Sequence, residues 1–370
     1  IKIVDGHSGA GGGNKQIGDV RVVIRQWAKA VGIPEENIIN LGRAGVEHII
    51  SGERCWPLPG SVYFSVTNGH TSALGALGAF AVSLSYETGA YVVTGTSWAQ
   101  VPDTTKIGLS GILAPGVTAR DVCEYVIGRL GPTGTPGHVM EWTGPLIDAM
   151  NMDARFTVCA NAIFTGAWTA VINPDATTLD YVRHCTSDAF EPMASDPDAS
   201  FLQTFRFDVS ALEPQVVPPP KRTDVFPVSA YRGTRIDYGF IGSCANGRIE
   251  DMRIAAKVLQ GKQLPSRVVL NITPGSSNVY KQCIREGILE IFAEAGACIA
   301  TPCCGMCAMG ANTPLGAGDV CVSTGTCNYP GRMGSSRAQI YLGSPATVAA
   351  SALAGEIADP RDFLQFTPNA

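Results

Sequence analysis

Three cysteines have the residue type and the spacing that a metal centre requires. Cys244 lies in the sequence Gly-Ser-Cys-Ala-Asn-Gly-Arg, and Cys304 and Cys307 form a Cys-x-x-Cys that begins 60 residues later. Each site falls in a Gly-rich turn after an apolar, strand-like run. Three thiolates from two strand-end loops suit an iron–sulfur cluster in which one iron has no protein ligand. Such an open metal position is what a Lewis-acid catalyst needs.

Two other interpretations of these thiols stay open at this point. They could be buried core cysteines, or they could belong to a zinc knuckle. Zinc favours four ligands, usually in two close pairs, whereas Cys244 stands alone in its loop. Cys303 adjoins Cys304, and we expect it to be structural and to point away from the metal.

Composition and charge exclude several classes of protein. The chain has 370 residues, more than one core usually spans, so we expect two or more lobes. A net charge of −5 and a pI of about 5.6 provide no basic face for nucleic acid. The longest apolar run, residues 73–84, is too short to span a bilayer, and no signal peptide is recognisable, so we expect no membrane association. Twelve cysteines without a small secreted framework favour a reduced, cytoplasmic compartment and a metal site over disulfides.

The elements that would position these thiols form two lobes. Residues 1–213 form a first lobe, Pro-rich residues 214–230 a linker, and residues 231–370 a cluster-binding lobe. Strands and helices alternate in the second lobe, which predicts a mainly parallel sheet with its sites at the carboxyl ends of the strands. The predicted elements are strand 62–66, helix 73–83, helix 119–130, strand 238–241, helix 249–259, strand 268–272, helix 279–294 and strand 298–300.

Longer motifs surround these residues and extend into the first lobe. They are Ile-Gly-Ser-Cys-Ala-Asn-Gly-Arg-Ile-Glu-Asp at 241–251, Pro-Gly-Ser at 274–276, Cys-Gly-Met-Cys-Ala-Met at 304–309, Ser-Thr at 323–324, Gly-Arg-Met-Gly at 331–334 and Pro-Asp-Ala-Thr-Thr at 174–178. At these residues the chain resembles the aconitase superfamily. More narrowly, it is similar to the large subunit of the short, archaeal-type 3-isopropylmalate dehydratases and homoaconitases. The resemblance covers nearly the whole chain.

The resemblance implies a fold, a cofactor and a reaction. It implies three-layer α/β/α lobes with mainly parallel sheets, the first lobe being domains 1 and 2 without the family's amino-terminal region. It implies a [4Fe-4S] cluster held by Cys244, Cys304 and Cys307, and a small partner subunit that carries the swivelling domain. The implied activity is that of a hydro-lyase or isomerase, which removes and re-adds water on a small hydroxy-carboxylic acid.

The resemblance also assigns roles to single residues. It implies catalytic roles for His7, His48 and His70, as general acids on a leaving hydroxyl. It implies substrate binding by Arg332. Ser276 lies in a turn that opens a helix, where backbone N–H groups could hold a carboxylate, although an ordinary strand-to-helix turn would have the same sequence.

The chain departs from the family pattern at polar positions. Where the family has Asp-His-Asn, this chain has Gly-His-Ser at residues 6–8, and the family's Asp-Ser-His-Thr is Asn-Gly-His-Thr at 68–71. A family asparagine and glutamate correspond to Ala160 and Phe164, and an arginine that binds a substrate carboxylate corresponds to Cys327. Loss of a bidentate arginine removes recognition of a planar carboxylate, so we expect a substrate less acidic than citrate or isopropylmalate, or a changed reaction.

Two questions stay open after these substitutions. Cys327, at a substrate-binding position of the family, could be a small apolar filler, a fourth cluster ligand or a reactive thiol. The chain as a whole could instead be a catalytically divergent paralogue whose cluster has a structural, redox or iron-sensing role.

Overall fold

The computed structural model of the chain describes residues 1–4, 6, 15–40, 42–43, 45–66, 69–84, 87–307 and 313–364, without the side chains of residues 15–17. These residues form two compact units. Unit 1 consists of Ile1–Ile50, Val216–Arg222 and Pro227–Ala370, and unit 2 consists of Ser51–Gln215 and Thr223–Phe226. His7 lies outside the described residues, so its role stays a prediction.

Helices and strands alternate along much of the chain. The helices are α1 (Lys15–Ala30), α2 (Glu47–Glu53), α3 (Thr88–Thr94), α4 (Ala119–Leu130), α5 (Pro145–Asp148), α6 (Met152–Asn161), α7 (Ala176–Cys185), α8 (Ser243–Asn246), α9 (Ile249–Leu259), α10 (Ser277–Arg285), α11 (Ile288–Glu294) and α12 (Pro345–Ala354). The strands are β1 (Ile3–Val4), β2 (Ile38–Ile39), β3 (Val62–Ser65), β4 (Phe80–Ser83), β5 (Thr104–Ser110), β6 (Val139–Thr143), β7 (Thr169–Ile172), β8 (Gln203–Asp208), β9 (Gln215–Val217), β10 (Phe226–Pro227), β11 (Tyr238–Ile241), β12 (Val269–Ile272), β13 (Cys298–Ile299), β14 (Val320–Ser323) and β15 (Gln339–Gly343).

The main sheet of unit 1 has, in the described part of the chain, seven strands in the order β10-β9-β15-β14-β11-β12-β13. In the described part of the chain, β11 pairs in parallel with β12 and with β14. The pairs β12–β13 and β14–β15 are also parallel, whereas β9 runs antiparallel to β15. The chain therefore extends the sheet from β11 towards β13 and then returns to the other side of β11 at β14. In open parallel sheets, ligands bind outside the carboxyl ends of the strands at such a reversal point.

The helices of unit 1 follow the expected apolar spacing with one difference. α9 has the predicted bounds, and its buried face includes Met252, Ala255 and Leu259. The helix predicted over residues 279–294 is instead two helices, α10 and α11. Gly287 separates them with a φ of 70°, a left-handed conformation that ends a helix and that glycine adopts without a steric penalty.

Unit 2 contains, within its described residues, a parallel sheet in the order β7-β6-β5-β8 and the parallel pair β3-β4. α4 has the bounds predicted from the sequence. The helix predicted over 73–83 is wrong, because Gly69–Leu77 forms a 3-10 helix and the chain then enters β4. A Cβ atom on Gly75 would lie 1.8 Å from the carbonyl oxygen of Ala170, so this segment lies directly against β7.

The Pro-rich stretch 214–230 contains β9 and β10, which belong to the seven-stranded sheet. Val216 and Val217 are fully buried there. The prolines of this segment predict a linker, but its apolar side chains fix it in the sheet. The two compact units also divide the chain differently from the lobes of the sequence analysis, since Ile1–Ile50 belongs with the residues after Pro227.

The fold class is α/β with mainly parallel sheets, as predicted. Among the described residues, none of the helices combines the length and the apolar character needed to cross a bilayer.

Candidate metal centre

The turn after β11 positions Cys244. The chain leaves the strand through Gly242, at φ 156°, and Ser243, whose φ of 73° is a strained value for a residue with a Cβ atom. Cys244 then lies in the short helix α8. Thr324 holds this turn from the end of β14, because its Oγ1 accepts a hydrogen bond from the Gly242 N–H (2.8 Å) and donates one to the Gly242 carbonyl (2.9 Å). The turns on the two sides of the reversal point are thus joined.

The segment after β13 positions Cys304 and Cys307, and Cys307 ends a 3-10 helix, Gly305–Cys307. Cys244, Cys304 and Cys307 are only 3%, 5% and 1% exposed, and Cys307 acts electrostatically on both of the others. Val46 and Ile49, from the segment that begins α2, pack with Cys244 and Cys304 in one apolar cluster. The three cysteines expected to hold a metal therefore lie in one buried region, which we call the thiol site.

The three thiols of this site differ in pKa. Burial raises the pKa of Cys244 to about 12 and raises that of Cys304 well above its usual range, and the neighbouring Cys307 adds to both shifts. Burial opposes ionisation of Cys307 as well, but the Arg332 guanidinium and the hydrogen bonds from Thr326 and Arg332 hold its pKa below the usual value. Arg332 Nη2 and the Thr326 backbone N–H each lie 3.5 Å from the Cys307 sulfur.

The donor chemistry of the thiol site, three cysteine thiols in a buried region, is of the kind that holds an iron–sulfur cluster. A bound metal deprotonates the thiols that coordinate it and supplies the positive charge that two of these buried thiols need in order to ionise. Within the described residues, no three His, Cys, Asp or Glu side chains are placed to hold one metal ion, whose thiolate ligands would each lie about 2.3 Å from it. An iron–sulfur cluster distributes its thiolate ligands over several iron atoms.

Cys303 and Cys327 flank the thiol site in the sequence and have different surroundings. Cys303 is fully buried, and its sulfur accepts a hydrogen bond from the Gly305 N–H at 3.2 Å, in keeping with a structural residue. Cys327 is partly exposed, and burial followed by the charge of Cys307 raises its pKa. Its sulfur lies 3.7 Å from Thr326 Oγ1. The choice between a filler, a fourth ligand and a reactive thiol stays open.

Two guanidinium groups lie beside Cys327, and the sequence indicated only one of them. Arg332 donates from Nη1 to the Tyr329 hydroxyl (2.9 Å), and within the described structure its buried Nε has no hydrogen-bond partner. Arg222 donates from Nε to the Thr326 carbonyl (2.8 Å), and its charge acts on Cys327. Arg222 follows three prolines in the stretch taken for a linker, so the only sequence signal was the basic pair Lys-Arg at 221–222.

Ser276 lies where three segments of unit 1 meet through their backbones. The Val46 N–H donates to the Gly275 carbonyl, and the Gly275 N–H donates to the Gly247 carbonyl, both at 2.7 Å. A Cβ atom on Gly275 would lie 2.8 Å from the Gly247 carbonyl oxygen and 2.1 Å from Ile49 Cδ1, so a side chain at this crossing would displace its neighbours. Ser276 is buried, and its hydroxyl accepts a hydrogen bond from the Val279 N–H as the N-cap of α10. This cap accounts for the Pro-Gly-Ser turn structurally, and carboxylate binding by Ser276 stays a prediction.

The two described histidines of the predicted site belong to different units. His48, in unit 1, is fully buried, with its Nδ1 2.5 Å from the Glu47 carboxylate, and its carbonyl accepts a hydrogen bond from Arg248 Nη2 at 3.4 Å. His70, in unit 2, lies in the 3-10 helix with its Nδ1 2.9 Å from the Ala160 carbonyl and its ring 5.6 Å from that of Phe164. Their catalytic roles stay predictions.

A family model and the most similar curated proteins agree on the family that this chain resembles. The model of the aconitase family (aconitate hydratase) matches residues 16–355. The 3-isopropylmalate dehydratase large subunit of Desulfitobacterium hafniense (strain Y51) is 39% identical over 355 residues, which is 95% of this chain and 84% of that protein. The 3-isopropylmalate dehydratase large subunit 1 of Methanopyrus kandleri is 40% identical over 343 residues, 92% of this chain and 81% of that protein.

A third relative carries a different activity in its name. The "Probable methanogen homoaconitase large subunit" of Methanosarcina mazei is 40% identical over 339 residues, 91% of this chain and 85% of that protein. Among solved structures, aconitase X of Thermococcus kodakaraensis in its holo form aligns with a TM-score of 0.49 and 14% identity, over 88% of this chain and 75% of that one. Enzymes of the aconitase family generally use a [4Fe-4S] cluster. The family match over nearly the whole chain and the identity to these relatives lead to one conclusion: this chain belongs to the aconitase family.

Proposed function

We propose that this chain is the large subunit of an aconitase-type hydro-lyase that removes and re-adds water on a small hydroxy-carboxylic acid. The observation that carries the proposal is the convergence of Cys244, Cys304 and Cys307 in one buried site at the reversal point of a parallel sheet. The naming of the relatives as large subunits supports a small partner subunit, which would carry the swivelling domain.

The three thiols would hold a [4Fe-4S] cluster, which supplies, when bound, a Lewis-acidic iron without a protein ligand. Cys307 enters this arrangement with its pKa already lowered, because Arg332 and Thr326 donate to its sulfur. Such donors outside the ligand set orient a ligand and tune its basicity. Arg332 is therefore a positioning residue for Cys307 as well as a candidate for substrate binding.

The acid would be bound by the cations beside Cys327. The buried Nε of Arg332 has no hydrogen-bond partner in the described structure, and a carboxylate would satisfy it. Arg222 brings a second positive charge close to Cys327, where the family has an arginine. The pocket would then keep a carboxylate site while Cys327, in place of an arginine, makes it more apolar. We therefore propose an acid with fewer carboxylates or a bulkier apolar group than citrate or isopropylmalate.

Proton transfer would fall to a histidine. The Glu47 carboxylate lies 2.5 Å from the Nδ1 of His48, and a carboxylate in this position orients the imidazole ring. His48 would then protonate a leaving hydroxyl from Nε2. A catalytic role for His70 of unit 2, whose Nδ1 contacts the Ala160 carbonyl, stays a prediction.

Anaerobic reconstitution with ferrous iron and sulfide tests the proposal. The wild-type chain should gain iron, sulfide and a visible absorption band, and Cys304→Ala should lose most of the iron. Cys321→Ala is the matched control, because Cys321 is equally buried, lies in β14 of the same unit and is not in the thiol site. Full iron content in Cys304→Ala would rule out the cluster.

Turnover then separates the enzyme from its alternative. The reconstituted chain, purified with its small subunit, is assayed on a panel of hydroxy acids by the absorbance of the unsaturated product. A stable cluster without turnover of any acid would favour the divergent paralogue with a structural, redox or iron-sensing cluster. Turnover of citrate or isopropylmalate at rates normal for enzymes, roughly 10 per second, would contradict the proposed change of substrate.

A further inference from the structure

A turn in unit 2 holds a cysteine in a conformation that cysteine seldom adopts. Cys55 follows α2 with a φ of 44°, in the left-handed region, and its side chain is buried. Glycine occupies this region without a steric penalty, whereas a residue with a Cβ atom incurs one. A residue that breaks a local preference in this way usually has another role. The side chain of Cys55 is therefore the part of this turn to examine.

The last turn of α7 presents a second cysteine to the same place. Tyr181 and Cys185 are four residues apart and so lie on one face of α7. The Tyr181 hydroxyl donates to the Gly52 carbonyl (3.3 Å), and the Cys185 thiol donates to the Glu53 carbonyl (3.4 Å). The Cys55 thiol lies 3.6 Å from the same Gly52 carbonyl that Tyr181 contacts. Two consecutive carbonyls at the end of α2 thus hold both thiols.

The two thiols also act on each other, since each of them shifts the pKa of the other. Both are free, Cys55 is buried, and Cys185 is exposed and open to a small reagent. We propose that Cys55 and Cys185 form an oxidisable pair, which becomes an intrachain disulfide on reaction with a low-molecular-weight disulfide such as glutathione disulfide. The pair belongs to unit 2, whereas the thiol site belongs to unit 1, so this proposal does not rest on the proposed function.

The exchange proceeds in two displacements. The Cys185 thiolate attacks one sulfur of glutathione disulfide, forms a mixed disulfide and releases one glutathione thiolate. The Cys55 thiol then gives up its proton and attacks the Cys185 sulfur, which forms the Cys55–Cys185 bond and releases the second glutathione. Two protein thiols are oxidised and one glutathione disulfide is reduced to two glutathione molecules.

Local charges agree with this order of attack. The neighbouring Cys55 lowers the pKa of Cys185, and His184 lowers it further, against burial and the charge of Glu53. The neighbouring Cys185 and then burial raise the pKa of Cys55. The exposed thiol of the pair is thus the better nucleophile, and the buried one acts second.

Peptide mapping of the full chain tests the pair. The reduced protein is incubated with glutathione disulfide, blocked with an alkylating reagent and digested. The expected main product is a linked peptide that contains Cys55 and Cys185 and that dithiothreitol separates. Cys298→Ser removes another exposed cysteine and should leave the yield of this peptide unchanged. A glutathione adduct that persists on Cys185 of the wild-type chain, with Cys55 alkylated, would overturn the proposal.

Two variants of the pair separate the two displacements. In Cys55→Gly, glycine suits the left-handed φ, so the chain should fold, and Cys185 should keep one glutathione because the resolving thiol is gone. In Cys185→Ser, Cys55 should stay reduced, since the buried thiol is not the first nucleophile. Rapid glutathionylation of Cys55 in Cys185→Ser, or loss of glutathione from Cys185 in Cys55→Gly, would contradict the mechanism.

Discussion

At the scale of single residues, the buried thiols of unit 1 differ in the positive charge that reaches them. Arg332 acts on Cys304, Cys307 and Cys327, whereas Arg248 acts on Cys244. Arg222 acts on Cys327, which two guanidinium groups therefore influence. A substrate carboxylate could therefore bind to Arg222 and Arg332 beside the thiol site, although position 327 carries a cysteine and no arginine.

Arg222→Gln tests this arrangement of charge. We expect weaker binding of the acid, with a KM increase of roughly tenfold for the loss of one charge-assisted hydrogen bond. Iron content should not change, because Arg222 donates to a backbone carbonyl and has no part in holding the cluster. Lys221→Gln is the matched control, since it removes the same charge from the preceding, exposed residue. Equal KM values in the two variants would show that Arg222 does not bind the acid.

At the scale of elements, several bounds followed from local chemistry and others did not. α4 begins where Thr118 and Asp121 form a capping box, a signal that lies within the sequence. The motif Pro-Asp-Ala-Thr-Thr at 174–178 has a structural reason, because Asp175 caps α7 and accepts two hydrogen bonds from Arg155. The apolar run after Gly69 predicts an α-helix when only local sequence is considered. The segment forms a 3-10 helix instead, where it packs against β7, which lies far away in the sequence.

The candidate site shows the same division between local and distant signals. The sequence predicts that Cys244, Cys304 and Cys307 lie close together, because each follows a strand that ends at the same edge of a parallel sheet. Arg222 could not be assigned, because its proximity to Cys327 depends on how the segment before β10 lies beside the end of β14. Asn328 fixes that segment by donating to the Pro218 carbonyl (2.8 Å), and no spacing in the sequence indicates this contact.

The cap of α4 gives a prediction for pH. Burial raises the pKa of Asp121 to about 6, although hydrogen bonds from Gln215 and Thr118 oppose the shift. A carboxyl group whose pKa is higher in the folded chain binds more protons there than in the unfolded chain. Its contribution to stability therefore falls as pH rises from 4 to 7, by about 2 kcal/mol.

The measurement compares the wild-type chain with Asp121→Asn in urea. Four of the five tryptophans lie in unit 2, so tryptophan fluorescence mainly follows the unfolding of that unit. The free energy of unfolding of the wild type, minus that of the variant, should decrease between pH 4 and pH 7. If this difference in free energy stays constant or increases with pH, the pKa of Asp121 is not raised in the folded chain.

At the scale of the whole molecule, each unit has its own hydrophobic core. The core of unit 1 includes Ile241, Leu270 and Val322 from the strands that end at the thiol site, and the core of unit 2 includes Trp142 and Phe156. The proposed cluster would join the turns after β11 and β13, both in unit 1. Because ligands that bind only the folded state stabilise it, the cluster should stabilise the sheet of unit 1.

Hydrogen exchange with and without iron tests where this stabilisation acts. Removal of the cluster by a chelator should speed amide exchange in peptides from β11 and β14 by roughly tenfold or more, the ratio that 1.4 kcal/mol of local stability represents. Peptides from β5 and α4 of unit 2 should keep their exchange rates, since no ligand of the cluster comes from that unit. Cys304→Ala supplies the control, because its exchange should be fast in β11 whether or not iron is offered. If the chelator instead speeds exchange equally in β5 and β11, the cluster stabilises the molecule as one cooperative body, and the assignment of its effect to unit 1 fails.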